Sequence, residues 1–389
     1  MKKLIIAGAV LSAVAGTAGA QTAAPSTSSV TLYGIMDAGV LRNDPHYGAA
    51  DQSWNLTSGN RNGSRFGFRG TEDVGGGTKV VFVAEGGINV DDGRSGQGTG
   101  TQGRLFGRQI YVGLANNTWG EVRLGRQQAP SYELFGQIDP FVVGYNDAGA
   151  QATFSGADGL RLDNVIEYRT PLYAGLQAMV GYSFNAGANN GANAPQSEVP
   201  ELKNNQTVQF AGLQYANGPL NLAASYEQFN CPSNVATPAA GSCSIAQHHD
   251  QKQWQVGATY DFNILKVHAM YGQERDAYST FTTINGTETI AGITHNYATP
   301  DANEMMVGLT VPLGGGRVIS SFQHRTDETS GRSNSAENNV NVASVGYEYD
   351  LSKRTILWTY IANTNGMGNL QDSSNFDRKQ YALGLRHAF

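Results

Sequence analysis

Apolar and polar residues alternate along most of this chain with the period of two that a β-strand requires. Phe66 and Phe68 fall on one face of their segment, and Arg65 and Arg69 fall on the other. The same alternation runs to the last residue, Phe389. It predicts sixteen strands, near 30–41, 62–73, 77–89, 104–116, 119–127, 161–170, 174–186, 205–216, 219–230, 251–262, 264–276, 303–312, 316–327, 339–350, 354–363 and 378–389.

The connections between these strands are short and long in turn. The short ones lie at 74–76, 117–118, 171–173, 217–218, 263, 313–315 and 351–353. The long ones, rich in Gly, Asn, Ser and Thr, lie at 42–61, 90–103, 128–160, 187–204, 231–250, 277–302, 328–338 and 364–377. Short turns on one side and long loops on the other are typical of outer-membrane barrels.

Strand length separates this pattern from that of a soluble β-sandwich. Sandwich strands usually have about five or six residues, whereas these run near eleven. The first strand, 30–41, and the last, 378–389, would pair and remove the edges of the sheet. We therefore predict an all-β fold, a 16-stranded antiparallel transmembrane barrel. Tyrosines near strand ends indicate an aromatic girdle; they are Tyr173, Tyr182, Tyr215, Tyr347 and Tyr349.

One long segment, from Arg126 to Asp158, has aromatics and carboxylates but no alternation. It overlaps most of the third long connection, 128–160, and loops of this length inside a compact domain are usually functional. We expect it to fold into the lumen and narrow it, with Glu133, Asp139 and Asp147 opposite arginines of the wall. Asp139, in the middle of the loop, is the first choice among the three, so its neutralisation is expected to change ion selectivity more than stability.

Composition and charge agree with a secreted barrel. Residues 1–20 have the two lysines, apolar run and small residues of a signal peptide, so we expect the mature chain to be 21–389. Without the leader the formal net charge would change from −6 to −8, which disfavours nucleic-acid binding. After residue 20 no apolar run is long enough for a transmembrane helix, and no linker divides the chain.

The remaining motifs indicate no catalysis, metal or cofactor. Cys231 and Cys243 are expected to form one disulfide in a surface loop. His248 and His249 are adjacent beside a loop, which favours solvated side chains over metal ligands. Two triple-glycine segments lack the lysine and helix of a phosphate loop and are read as hairpin turns.

The chain resembles the trimeric general porins of Gram-negative bacteria, in their β-proteobacterial and neisserial form. The matching segments are Ser29–Val40, Gly63–Gly77, Arg108–Leu114, Trp119–Gln127 and the terminal Phe389, in the family's order. The resemblance implies a homotrimer of 16-stranded barrels in the outer membrane, in contact with its lipid and lipopolysaccharide. It also implies an inward third loop, passive diffusion of ions and small hydrophilic solutes, and recognition of Phe389 by the barrel assembly machinery.

The basic residues of the pore wall are predicted in two ways. Alternation points Arg65, Arg69 and Arg123 into the lumen, and the resemblance implies a basic cluster at Arg65, Arg108 and Arg161. The two predictions disagree about Arg108, because alternation puts it with the lipid-facing residues of its strand. We follow the resemblance, since an arginine facing lipid is costly. These arginines match family members that favour anions, so the resemblance implies a mild preference for anions.

Two alternatives stay open at this stage. A substrate-specific outer-membrane channel would hold a saturable site in its constriction, and its conductance would be blocked by a single solute. A secreted β-sheet adhesin would partition into water without detergent. A barrel enzyme would need a serine with histidine support, and no such grouping stands out in the sequence.

Overall fold

The structure is a computed structural model that describes residues 28–46, 54–97, 104–154, 160–186, 206–230, 250–275, 287–290, 293–296, 301–328, 339–367 and 377–389. Its strands are β1 (Ser29–Pro45), β2 (Trp54–Ser58), β3 (Arg65–Gly75), β4 (Thr78–Gly87), β5 (Gln109–Asn116), β6 (Gly120–Gln128), β7 (Arg161–Arg169), β8 (Leu176–Ser183), β9 (Thr207–Asn217), β10 (Leu220–Asn230), β11 (Gln251–Asp261), β12 (Lys266–Arg275), β13 (Thr287–Ile290), β14 (Ile293–Asn296), β15 (Ala302–Leu313), β16 (Gly316–Asp327), β17 (Val340–Asp350), β18 (Thr355–Gly366) and β19 (Arg378–Ala388). Between β6 and β7 lie helix α1 (Pro130–Glu133) and three 3₁₀ turns, Phe135–Gln137, Asn146–Ala148 and Ala150–Ala152.

Sixteen of the described strands form one closed antiparallel barrel, which confirms the predicted fold. Each pairs with the next along the chain, and β12 pairs with β15 past the separate β13–β14 hairpin. β1 closes the ring against β19, from Ile35 opposite Ala388 to Pro45 opposite Arg378. The amide of Phe389 donates to the Gly34 carbonyl at 3.1 Å, so the pairing reaches the last residue. Closure joins the two strands that would otherwise be the edges of the sheet.

Two of the long connections contain strands that alternation did not predict. β1 extends to Pro45, and its upper part pairs with β2, which lies within the stretch 42–61 expected to be loop. The β13–β14 hairpin lies within 277–302. β2 has five residues and the two hairpin strands have four each, too few for a period of two to stand out from a loop. The predicted signal peptide, Cys231, Cys243, His248, His249 and Asp158 lie outside the described residues.

Cross-strand pairing separates the two faces of the wall. Gly67 lies opposite Glu85, and Glu85 lies opposite Gln109, so these positions share the inner face. Large apolar side chains of the other face are exposed, among them Phe68, Val112 and Leu124. Of the predicted girdle tyrosines, those next to short turns are Tyr173, Tyr215, Tyr347 and Tyr349, whereas Tyr182 lies at the other end of its strand. No helix in the described part of the chain has the length and apolar character needed to span a membrane.

The buried core lies where the segment 129–160, called the inner loop, meets the inside of the wall. Phe135, Ile138 and Val143 of the loop pack with Met270 and Met306 of the wall. In a second cluster, the buried loop residues Phe141, Tyr145 and Ala148 pack with wall residues Ile319, Trp358 and Tyr360. The inner loop therefore lies across the lumen face of the strands from β8 to β18, as the sequence predicts for an inward third loop.

Glycines of the wall permit this close approach. A Cβ on Gly257 would lie 2.8 Å from the Ile138 side chain, and one on Gly308 would lie 2.7 Å from the Pro140 ring. Contacts shorter than 3 Å would force the loop away from the wall. The small inner-face residues thus set the depth at which the loop docks.

Candidate pore constriction

Polar side chains of the wall hold the first half of the inner loop through its backbone. Glu227 on β10 accepts the Ser131 amide at 2.8 Å, and Gln255 on β11 donates to the Ser131 carbonyl at 2.6 Å. His268 on β12 donates from Nδ1 to the Ile138 carbonyl at 2.6 Å. Three successive strands therefore fix the entry of the loop into the lumen.

β16 holds the second half with alternate residues of one face. Ser321 and Gln323 donate to the Ala148 carbonyl at 3.2 and 2.9 Å. Arg325 donates to the Thr153 carbonyl at 3.0 Å and forms ion pairs with two carboxylates of neighbouring strands, Glu274 and Glu304. Because the loop is held at both ends, its outer surface is a fixed boundary of the pore.

The structure corrects the expected role of Asp139. The residue is 2 % exposed, and its carboxylate accepts backbone amides of the inner loop itself. The donors are Phe141 at 2.9 Å, Val143 at 2.9 Å and Ala150 at 2.7 Å. Burial raises the pKa of Asp139 to about 6, although the three amide hydrogen bonds act to lower it. Asp139 lies inside the loop and not on its pore surface.

Glu133 keeps more contact with the pore. Its side chain is 28 % exposed, and it accepts two hydrogen bonds from Arg169 at 2.6 and 2.5 Å. Burial acts to raise the pKa of Glu133, but the hydrogen bonds and charge of Arg169 outweigh it, so the pKa lies below its usual value. Of the three predicted acids, Glu133 is the one with the most exposed carboxylate.

Asp147 is tied to the far wall. Arg378 at the start of β19 donates to both of its carboxylate oxygens at 2.5 Å, and Thr364 on β18 contacts it at 3.3 Å. The Asp147 side chain is 10 % exposed. This carboxylate anchors the loop to the closing strands of the barrel.

The predicted basic residues, called the arginine wall, are Arg65, Arg69, Arg108, Arg123 and Arg161. Arg65 and Arg69 share the face of Glu85 by register. Arg123 lies opposite Glu167 and pairs with Glu121 at 2.7 Å. Of the five, Arg69 is exposed, Arg65, Arg123 and Arg161 are half-buried, and Arg108 is buried at 3 % exposed.

Arg108 lies beside the inner-face residue Glu85. It precedes β5, which begins at Gln109, so the alternation of that strand does not govern its side chain. Its Nε donates to Glu85 at 2.7 Å, and Arg65 approaches the same carboxylate at 3.9 Å. The guanidinium carbon of Arg161 lies 5.2 Å from the ring centre of Tyr132, at the start of the inner loop. Arg108 and Arg161 thus lie where the wall meets the loop.

The charges of the arginine wall exceed those of the carboxylates that pair with it. Arg65 and Arg108 share the single carboxylate of Glu85, so one positive charge of this group is left over. Arg69 contacts a neutral partner, since it stacks over Tyr33 with its guanidinium carbon 5.4 Å from the ring centre. The field on this side of the lumen is therefore positive.

Sequence reasoning missed several residues that hold the loop. Arg61 donates to Glu348 at 2.6 Å, and the Tyr145 hydroxyl donates to the same carboxylate. Alternation places Glu348 on the inner face, and it likewise places Arg169 and Arg378 there. No local signal connects them to a loop that is up to 231 residues away along the chain.

The chain is similar to known proteins of one family. A family model for Gram-negative porins matches residues 7–369. An outer membrane porin protein of Bordetella pertussis is 36 % identical, and outer membrane porin protein 32 of Delftia acidovorans is 31 % identical, each over the whole of both chains. The anion-selective porin from Comamonas acidovorans has a similar structure, with a TM-score of 0.69 and 25 % identity over 93 % of this chain and 100 % of that one.

Proposed function

Because the chain belongs to the family of Gram-negative porins, we propose that its constriction passes small anions more readily than cations. The protein is a general diffusion porin of the outer membrane, and its barrel is a channel for passive movement of ions and small hydrophilic solutes. Selectivity then depends on the charges at the narrowest part.

One observation carries the proposal, namely the guanidinium excess of the arginine wall. Guanidiniums stay charged at every relevant pH, and low-dielectric walls strengthen their field across a narrow lumen. On the opposite side, the acids of the described inner loop are buried or paired with arginine. The similar Comamonas structure is that of an anion-selective porin, which supports the same direction.

The test is the reversal potential in a salt gradient across a planar bilayer. We expect a potential whose sign reports anion permeability above cation permeability. A potential of the opposite sign would refute the selectivity and leave the diffusion channel intact. Absence of channels from folded protein would refute the channel itself.

We further propose that three copies of the chain assemble into a trimer. The exposed apolar outer face supports burial against lipid or against another copy. Single insertions into a bilayer should produce three equal conductance steps, whereas single steps would indicate monomers. Recognition of Phe389 by the assembly machinery and contact with lipopolysaccharide stay predictions of the family resemblance.

A further inference from the structure

The inner loop contains a turn with an unusual backbone. Residues 139–150, called the inner turn, include four non-glycine residues with positive φ: Val142 at 52°, Val143 at 52°, Tyr145 at 60° and Asn146 at 50°. The left-handed region is unfavourable for β-branched side chains in particular. Such a backbone persists only where contacts with the surrounding structure hold it in place.

Asp139 stabilises this backbone by accepting hydrogen bonds inside the turn. One carboxylate oxygen accepts the Phe141 amide, and the other accepts the amides of Val143 and Ala150. These three donors bracket the left-handed residues on both sides. Both oxygens of the side chain are engaged, and loss of these acceptors would leave buried amides without partners, so Asp139 is an effective clamp.

The inner turn also sets the position of the pore boundary. The ring of Tyr145 packs edge-on against Trp358 and Tyr360, with ring centres 5.6 and 5.4 Å apart. Its amide donates to the Asn60 carbonyl, at the end of the first loop. Val142, on the same turn, is half-buried and therefore partly faces the lumen. A change of shape in the turn would move this surface.

We infer that Asp139 is a positioning residue that holds the constriction in one shape from within the loop. It does so by satisfying three amides of a left-handed turn, and it does not act as a charge that permeating ions meet. This inference deepens the proposed channel function and rests on it.

The test is single-channel recording of D139A and D139N. Alanine removes all three acceptors. Asparagine keeps one amide oxygen and turns an NH₂ group toward a backbone donor, so it removes part of the clamp. We expect the fraction of time in sub-conductance states to rise about tenfold or more in D139A and less in D139N, because buried amides lose their hydrogen-bond acceptors. The reversal potential and the unfolding temperature of the barrel should change little.

E133Q is the matched control, because it removes the same charge from the same loop at a more exposed site. It should shift the reversal potential, which D139N leaves unchanged. A second variant, V142G, relieves left-handed strain, since glycine adopts positive φ without penalty. Added to D139N, it should restore part of the steady current.

Each other outcome overturns the inference. A D139N channel with a steady current and a shifted reversal potential would make Asp139 a pore charge. A channel equal to the wild type would remove any role in positioning, and failure of both Asp139 variants to assemble would make the residue a folding determinant. Loss of conduction in the wild type would instead contradict the proposed function, and it is measured first.

Discussion

The arginine wall and the wall beneath the inner loop both carry charges toward the lumen, and they use them differently. Arg69 stacks on an aromatic ring, and Arg65 has its nearest carboxylate oxygen at 3.9 Å. Beneath the loop, Arg325 is 3 % exposed and lies between Glu274 and Glu304. Arg69 and Arg65 are open to solvent and have no close ion pair, so they are suited to selectivity, whereas Arg325, like the equally buried Arg108 of the arginine wall, is enclosed with carboxylates and suited to holding the structure together.

The same contrast applies within the inner loop. Glu133 meets the lumen, Asp139 is enclosed by backbone amides, and Asp147 is tied to Arg378. Three carboxylates on one loop therefore have three different surroundings. Their formal charges alone do not distinguish them.

The largest effect is expected for R325M, which tests the buried ion cluster of Arg325, Glu274 and Glu304. Removal of one partner from a buried ion cluster leaves two carboxylates uncompensated and typically costs about 3–5 kcal/mol. We expect a large fall in the free energy of unfolding, measured by denaturant titration of the detergent-folded barrel. R69M on the arginine wall is the control and should unfold like the wild type. Equal stability of both variants would break the distinction between the two walls.

The pH dependence of stability tests the enclosure of Asp139. Its pKa in the folded protein is about 6, against an ordinary value of 3.8, so the folded state binds the proton more tightly. Its stabilising contribution is fully present below pH 3.8 and is lost as the pH rises through 6. Between pH 7.5 and 5 the wild type should gain about 1.4 kcal/mol relative to D139N. Identical pH profiles would place the carboxylate in solvent.

The arginine wall is tested by the double variant R65Q/R161Q. Loss of two guanidiniums should lower the anion-to-cation permeability ratio several-fold, on the order of 1 kcal/mol in relative barrier height. The measurement is the reversal potential in a salt gradient, with the unfolding temperature as a check on structure. R275Q, at the loop end of β12, is the control because that side chain pairs with Glu328 and not with the constriction. An unchanged ratio would assign selectivity to other residues.

The smallest effect is expected for E133Q. The change removes a carboxylate that is already paired with Arg169, so the anion preference should rise only about twofold. The same reversal-potential measurement resolves this shift. A fall in anion preference would show that Arg169 leaves the pore when its partner is lost.

Much of the fold follows from local sequence. A period of two fixes which residues face water, and the contrast of short turns with long loops fixes the order of strands, because both depend on neighbours along the chain. The inward direction of Arg65, Arg69 and Arg123 follows from the same alternation. The short strand β2 was missed because five residues carry too little periodicity.

The inner loop shows what alternation leaves undecided. An irregular backbone has no period, so its sequence does not tell which side chain faces the pore, the wall or the loop itself. The enclosure of Asp139 depends on a turn formed by residues up to eleven positions away, and the Asp147–Arg378 pair spans 231 residues. These arrangements exist only after the barrel closes and the loop docks, because burial and hydrogen-bond partners are properties of the assembled structure. The sequence by itself determined the barrel and the inward direction of Arg65, Arg69 and Arg123, and the tertiary structure alone decided which loop carboxylates are buried and which arginines they pair with.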